Sequence, residues 1–134
     1  MRLEQEQIQA LAGFRNALRR FLAFSEEVTR AQGVTPLQYQ AMLAIKAQSH
    51  GAMAVGDLNA ELLLKANSTV QLVDRLARMG LVRRRRSDAD RRLVRVTLTD
   101  SGNALLLRLA SLHLEQLSKR KKQLADILRQ VKSM

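Results

Sequence analysis

The sequence contains no cysteine and no tryptophan, one proline, and only four residues of the phenylalanine, tyrosine and tryptophan group. The lack of cysteine excludes disulfides, thiolate metal sites and a cysteine nucleophile within this chain. No apolar run approaches the roughly 18 residues that a membrane-spanning helix requires. The first nine residues are charged and rich in amides, unlike a secretory signal. We therefore expect a cytoplasmic protein with no membrane partner.

Residues that could carry catalysis are also scarce. The two histidines, His50 in a predicted loop and His113 on a leucine-rich segment, lie far apart in the chain without an HExxH pattern. We expect His113 at a helix surface or an interface. The six glycines are scattered singly, so the chain has no glycine-rich phosphate loop. The sequence thus predicts no enzyme, no catalytic residue, no metal site and no cofactor.

Positive charge is concentrated in one stretch of the chain. The 134 residues, of which 46% are hydrophobic, fit a single domain over residues 1–134 with a net charge of +11. Residues 65–95 contain ten basic and three acidic residues, so +7 of that charge lies within 31 residues. Such a focused charge indicates a polyanionic partner.

Within this stretch, residues 67–80 have the pattern of an amphipathic helix. Thr69, Leu72, Val73 and Leu76 recur at helical spacing and predict a buried stripe. Asn67 is a plausible N-cap, and Gly80 a plausible end. The opposite face is polar, and its side chains suit base edges in a major groove. The residues predicted to read DNA are Lys65, which lies just before the helix, and Asn67, Ser68, Val70, Gln71 and Arg75 within it.

The helix is followed by a predicted hairpin, with strands at residues 81–86 and 93–99 and a turn at 87–92. Residues 83–95 include seven arginines and no lysine, which favours bidentate phosphate contact or insertion into a narrow minor groove. Asp88 and Asp90 are predicted to stabilise the turn by ion pairs and hydrogen bonds. The arginines predicted to contact DNA are Arg84, Arg86, Arg91 and Arg92.

The segments LVDRLARMGLVRR, DADRR and VTLTDSG, at this spacing, resemble the MarR-type winged helix-turn-helix transcription regulators. The resemblance implies a mainly α fold with a small β-hairpin wing, and N- and C-terminal helices that form a homodimer. It also implies that the Asn67 helix enters the major groove of double-stranded DNA, that the wing lies beside the minor groove, and that the protein is usually a repressor. Leu63 stands where many members have a turn glycine, so we expect a longer or differently shaped turn.

The remaining segments fit this arrangement. Residues 3–31 predict one long helix, and Thr35, Pro36 and Gln38 predict the capped start of a second helix that runs to about residue 48. Residues 56–63 are the expected first helix of the helix-turn-helix, within a winged unit at 35–99. Leucine-rich helices are predicted at residues 100–117 and from residue 118 onward. Together with the first helix they form the expected dimerisation region, residues 1–31 and 100–134. Four cations at 119–122 either bind a partner or are a solvated charge run.

Three classes of function therefore compete: a sequence-specific, ligand-responsive duplex-DNA regulator, a non-specific architectural DNA-binding protein, and a helical protein-interaction module. The resemblance also implies a small aromatic or phenolic effector bound between the dimerising helices and the winged unit. Arg15 and Arg19 are candidates for contact with a carboxylate of such an effector, with a plain surface location as the alternative.

Overall fold

The computed structural model describes residues 2–131, which form six α-helices and three β-strands. In chain order these are α1 (Gln5–Ala31), α2 (Pro36–Lys46), β1 (Ala52–Ala54), α3 (Val55–Leu62), α4 (Ala66–Arg78), β2 (Val82–Arg86), β3 (Val94–Leu98), α5 (Asp100–Lys119) and α6 (Lys121–Val131). The predicted fold class, mainly α with a small β wing, is confirmed. Among the described helices, none is long and apolar enough to cross a lipid bilayer.

Two helix ends follow directly from local sequence signals. The Thr35 hydroxyl accepts a hydrogen bond from the Gln38 N–H at 3.1 Å, and the Gln38 side chain accepts one from the Thr35 N–H at 2.9 Å. The predicted capping box at the start of α2 is therefore confirmed. After α4, Gly80 has a φ of +75°, the left-handed conformation that glycine adopts at low cost after a last helical turn.

The last helix begins later than predicted. The helix α5 extends to Lys119. The chain leaves the helical conformation at Arg120, whose φ is −102° and ψ is 6°. The break thus falls inside the basic run at 119–122, and α6 begins at Lys121 instead of residue 118. Only Lys121 and Lys122 of the run lie in the first turn of α6, where the helix dipole disfavours cations.

The sheet contains one strand more than the predicted hairpin. The strands are antiparallel in the order β1-β3-β2, and the predicted hairpin strands are confirmed to within one residue at each end. β1 was not predicted, because three residues are too few to show an alternating pattern. It forms because β3 has a free edge, where Ala52 pairs with Thr97 and Ala54 with Arg95.

One core joins the helix-turn-helix, the sheet and the first half of α5. The sequence predicted a boundary after residue 99, between the winged unit and the C-terminal helices. Because α5 follows this boundary and contributes to the core of the winged unit, the boundary does not separate two cores. The predicted domain also includes Met1 and residues 132–134, which lie outside the described residues. The largest fully buried side chains of this core come from four helices and are Met42, Ile45, Leu58, Leu76, Leu106 and Leu109.

The long helix α1 extends beyond this core and packs against α6. Ala10 and Ala17 are buried against Ile127, and their small side chains let α6 approach closely. Other apolar side chains on these helices remain open to solvent: Leu11 is 60% exposed and Leu128 is 72% exposed. In the single chain, therefore, a long apolar surface on α1 and α6 is exposed to solvent.

Candidate nucleic-acid interface

The helix α4 is held by its apolar side and leaves its polar side open. Thr69 and Val73 are almost completely buried, and Leu76 lies in the core, as the helical spacing predicted. The exposed residues of α4 include every predicted DNA-reading position on it, namely Asn67, Ser68, Val70, Gln71 and Arg75. The polar surface of α4 is thus fixed to the core and accessible along its length.

The start of α4 differs from the prediction. The helix begins at Ala66, with Lys65 at the N-cap position and without a side-chain capping hydrogen bond. Asn67 is therefore the second helical residue and not the N-cap. Its side-chain oxygen still accepts a hydrogen bond from the Ser68 N–H at 3.0 Å, within the first turn. Lys65 is exposed immediately before the helix, where its ammonium group adds positive charge beside the N-terminal amides.

The turn between α3 and α4 keeps the geometry of a glycine turn without a glycine. Leu63 has φ 55° and ψ 41°, the left-handed conformation, and its side chain is 91% exposed. Residue 63 therefore keeps the conformation that a turn glycine favours, and the expected difference in the length or shape of the turn stays a prediction. The N–H of Leu64 donates to the Asn59 carbonyl at 3.1 Å and closes the turn. Residue 63 thus adopts a conformation that costs a β-carbon-bearing residue roughly 1–2 kcal/mol.

The wing turn is organised by Asp90. Its carboxylate accepts hydrogen bonds from the Arg92 backbone N–H at 3.0 Å and from Arg92 Nε at 3.4 Å. The Arg86 guanidinium donates to the Arg91 carbonyl at 2.8 Å and joins the two sides of the turn. Asp88, in contrast, forms no hydrogen bond or ion pair within residues 2–131, so the stabilising role predicted for it has no contact to support it.

Arg84 is tied to α4 instead of standing free on the wing. Its guanidinium forms an ion pair with Asp74 of α4, a link that the sequence did not reveal because the two residues are ten apart. The side chains are 48% and 37% exposed, so such a pair contributes only about 0.2–1 kcal/mol. This ion pair braces the wing against α4, and the contact of Arg84 with DNA stays a prediction.

A cleft of about 410 Å³ between α4 and the wing brings several predicted residues together. Val70 and Asp74 line one side of the cleft, and Arg84 and Arg92 line the other. The polar face of α4 and the arginines of the wing are therefore parts of one continuous surface.

Comparison with known proteins agrees with this geometry. The sequence profile of the MarR family matches residues 32–93, from the end of α1 to the start of β3. The transcriptional repressor MdtR of Bacillus subtilis is 31% identical over 77 residues, which are 58% of this chain and 48% of MdtR. The chain therefore spans about half the length of that curated relative.

Two solved structures have the same fold. The crystal structure of AbsC, a MarR family transcriptional regulator from Streptomyces coelicolor, superposes with a TM-score of 0.75 at 19% identity, over 95% of this chain and 84% of AbsC. A point mutant of S. aureus MepR, bound to an oligodeoxyribonucleotide, superposes with a TM-score of 0.69 at 20% identity, over 82% of this chain and 80% of MepR.

The segment at residues 32–93 is therefore similar to the MarR family. The predicted resemblance to that family is confirmed over this segment, and the relative MdtR is named a transcriptional repressor. The matched segment contains α3, α4 and most of the wing, which are the elements that form the surface described above.

Two depressions in the surface lie beside α1. A mostly apolar cavity of about 440 Å³ lies between α1, α2 and α5. Arg15 and Arg19 do not line it; both are exposed and border a shallower depression of about 420 Å³ on α1. The polar residues that do line the first cavity are Ser25, Tyr39, Gln40 and His113.

His113 lies at the centre of an aromatic cluster and not on a surface. Its ring is buried, stacks on Tyr39 with the ring centres 4.3 Å apart, and meets the edges of Phe21 and Phe24. Nδ1 is 2.6 Å from the Leu109 carbonyl, which can only accept, so Nδ1 carries the proton. Nε2 lies 2.9 Å from the Ser25 hydroxyl, within hydrogen-bond distance. The surface or interface location expected for His113 is wrong.

Burial also changes the pKa of the Tyr39 hydroxyl, next to His113. Desolvation raises the pKa of Tyr39 above its ordinary value of 10.0, so its hydroxyl stays protonated. The cavity between α1, α2 and α5 is therefore lined by apolar side chains, by the protonated Tyr39 hydroxyl and by a few other hydrogen-bonding groups.

Proposed function

We propose that this chain is a homodimeric, sequence-specific transcription regulator that binds double-stranded DNA. In this proposal α4 enters the major groove and reads base edges, while the wing contacts the adjacent backbone or minor groove. The observation that carries the proposal is the exposed polar face of α4, fixed by a buried opposite face and continuous with an arginine-rich wing. An α-helix fits the major groove, where each base pair presents a distinct pattern of donors and acceptors.

The chemistry of the exposed face supports base reading in addition to charge attraction. The amides of Asn67 and Gln71 can form bidentate hydrogen bonds with adenine, and Arg75 can do so with guanine. Val70, 47% exposed, offers a methyl group to thymine. Lys65, Ser68 and the wing arginines Arg86, Arg91 and Arg92 are assigned to the phosphates or the minor groove. A surface evolved for charge alone would not need the amides and the valine.

The uncovered apolar surface supports the homodimer. Leu3, Leu11 and Phe14 of the α1 end and Leu128 of α6 line a groove of about 380 Å³ with almost no polar surface. Such surface is usually buried against a partner. A second copy of the chain offers the same helices, so a two-fold interface through residues 1–31 and 100–134 would cover both copies at once.

Repression is the proposed sense of regulation, since MdtR is named a transcriptional repressor. The MepR mutant, which shares the fold, is a protein solved with an oligodeoxyribonucleotide bound, and this supports duplex DNA as the partner. A cytoplasmic location is proposed on the same basis, because that is where a transcription regulator of this family meets its DNA.

The experiment for this function is selection of genomic fragments by the purified protein, followed by footprinting and by competition with random duplex. The proposed function predicts one protected site with two half-sites about one helical turn, roughly 10 base pairs, apart. Random duplex that competes as well as the selected site would favour the architectural DNA-binding alternative. An absence of duplex binding would leave the protein-interaction module.

Ligand response is a second proposed property, and the cavity between α1, α2 and α5 supports it. About 440 Å³ lies within the usual range of small-molecule sites, and its lining is apolar with a few hydrogen-bonding groups. A phenolic ligand suits such a lining better than an aromatic carboxylate, because no arginine or lysine lines the cavity. Arg15 and Arg19 remain candidates for an effector contact only outside it.

This property is tested by titrating the protein with matched pairs of phenols and benzoates while thermal stability and operator affinity are measured. We expect phenols to raise the melting temperature and change operator affinity. Ala110→Met, which fills the cavity, serves as the control and should abolish the response. If neither series changes the melting temperature or the operator affinity, the proposal that a ligand in this cavity controls DNA binding is wrong.

A further inference from the structure

The arginines of the wing divide between the two faces of the sheet. Side chains alternate along a strand, and β2 pairs with β3 so that Arg84 is opposite the buried Val96 on the core side. Arg83 and Arg85 therefore point to the other side, together with Arg95, which is directly opposite Arg85. We name these three residues, Arg83, Arg85 and Arg95, the outer arginine face.

The outer arginine face has a high density of positive charge without compensation. All three side chains are exposed, and within residues 2–131 none of their guanidinium groups has an ion-pair or hydrogen-bond partner. Like charges directly opposite each other on neighbouring strands destabilise a sheet. Two other wing arginines differ, since Arg84 pairs with Asp74 and Arg92 with Asp90.

The surface in front of these arginines is broad and open. An open cleft of about 770 Å³ lies against the wing. It is lined by the three arginines, by Arg84 and Arg86 of the same strand, and by small side chains such as Ala52, Ala77 and Ala89. Asp88 also lines the cleft but pairs with none of the arginines. Small side chains leave the guanidinium groups accessible to a large partner.

We propose that the outer arginine face binds backbone phosphates of the duplex DNA that flanks each half-site. This rests on the proposed function, in which α4 occupies the major groove and the wing tip lies at the next minor groove. The outer face is turned away from α4, so the DNA within its reach lies beyond the wing. The protein then contacts a longer stretch of DNA than the helix and the wing tip alone would cover.

The observations favour a nucleic-acid backbone over a small anion or an acidic protein segment. The arginines lie on an exposed sheet face, without the enclosed cavity in which a small anion is held. Arg83 and Arg85 are two residues apart, about 6.6 Å along the strand, so their charges form a row and not a point. The turn of the same hairpin carries Arg91 and Arg92, which are already assigned to DNA.

The test compares two duplexes: the footprinted site alone, and the same site extended by about 10 base pairs at each end. The parent protein is expected to bind the extended duplex more tightly and with a steeper salt dependence. The triple variant Arg83→Gln, Arg85→Gln, Arg95→Gln should lose this gain and bind both duplexes alike. Each lost phosphate contact should lower the salt slope on the extended duplex by about 0.9.

Control variants distinguish the loss of specific phosphate contacts from the loss of overall positive charge and from a loss of stability. Replacing Lys46, an exposed cation outside the wing and outside the proposed dimer interface, by glutamine removes one charge, as each outer-arginine substitution does, and should keep the gain from the extension. Replacing the three outer arginines by lysine keeps the charge and should retain most of the salt slope. The glutamine variant should melt no lower than the parent, because it removes the like-charge pair of Arg85 and Arg95.

The proposal is overturned if the glutamine variant keeps the gain from the extension, a result that would direct attention to an acidic protein partner. It is also overturned if the variant loses affinity equally on both duplexes, since the contacts would then lie within the half-site. If the parent protein binds neither duplex, the proposed function fails first and this inference fails with it.

Discussion

Gly102 is a residue at which the fold leaves no room for a side chain. It lies in the first turn of α5, and a β-carbon there would overlap the Leu81 carbonyl oxygen and lie 2.9 Å from the carbonyl carbon. The same carbonyl accepts a hydrogen bond from the Thr99 N–H at 3.1 Å, so it cannot move freely. Gly102 therefore sets how closely α5 approaches the end of α4 and the start of the wing.

We predict that Gly102→Ala lowers the free energy of unfolding by about 1–3 kcal/mol, the usual range for overpacking. Gly56→Ala is the matched control. Gly56 lies in α3 with nothing within 4 Å of an added β-carbon, so alanine there should leave stability unchanged or raise it by a few tenths of a kcal/mol. Denaturant unfolding of both variants measures the difference, and equal effects would contradict this account of Gly102.

Single residues mark the limits of sequence reasoning. The exposure of Asn67, Gln71 and Arg75 was predictable, because helical periodicity fixes which side of α4 is buried. The burial of His113 was not, since one histidine among leucines gives no sign of the Tyr39 ring that stacks on it. The left-handed Leu63 was likewise hidden, because leucine rarely adopts that conformation.

The wing, as one structural element, offers a direct comparison of two aspartates. Asp90 organises the turn through Arg92, whereas Asp88 has no partner among the described residues. Both substitutions to alanine remove one negative charge from a basic surface. We predict opposite effects on operator affinity: Asp90→Ala weakens binding because the turn loosens, and Asp88→Ala strengthens it because repulsion of the DNA falls.

Binding isotherms for the two variants at several salt concentrations measure these effects. Arg91→Ala, which removes an unpaired exposed charge, should lower affinity for operator and random duplex alike and reduce the salt slope by about 1. If Asp90→Ala and Asp88→Ala tighten binding equally, simple electrostatics governs the wing and the turn contacts of Asp90 are unimportant.

Elements with strong local signals were predictable and those that depend on distant partners were not. The capping box of α2 and the periodicity of α4 are encoded within a few residues. β1 exists only because β3, more than 40 residues later, supplies its hydrogen-bond partners. The Asp74 to Arg84 ion pair depends in the same way on how the wing folds back against α4.

The whole molecule is expected to be an obligate dimer, as predicted from the extent of its apolar helices. We predict that the parent chain sediments as a dimer at micromolar concentration, and that Leu11→Glu or Leu128→Glu produces monomers with much weaker operator binding. These side chains are 60% and 72% exposed in the single chain, so the change should not disrupt the core of a monomer. A parent chain that sediments as a stable monomer would contradict this prediction.

At the scale of the molecule, the sequence was sufficient to predict the fold class but not how the regions are joined. Hydrophobic periodicity divided the chain into a winged unit and long terminal helices. It did not reveal that Leu105, Leu106 and Leu109 of α5 share the core of the winged unit. That sharing ties α5 to the same core against which α4 packs.

The central claim is that α4 reads DNA sequence, and the measurement that tests it most directly is the affinity of Gln71→Ala for the operator and for random duplex. We predict a loss of about 1–3 kcal/mol on the operator, a relaxed preference at one base position, and almost unchanged affinity for random duplex. Gln48→Ala, an exposed glutamine just after α2, is the matched control and should change neither affinity. If Gln71→Ala lowers both affinities equally, α4 is not the reading helix.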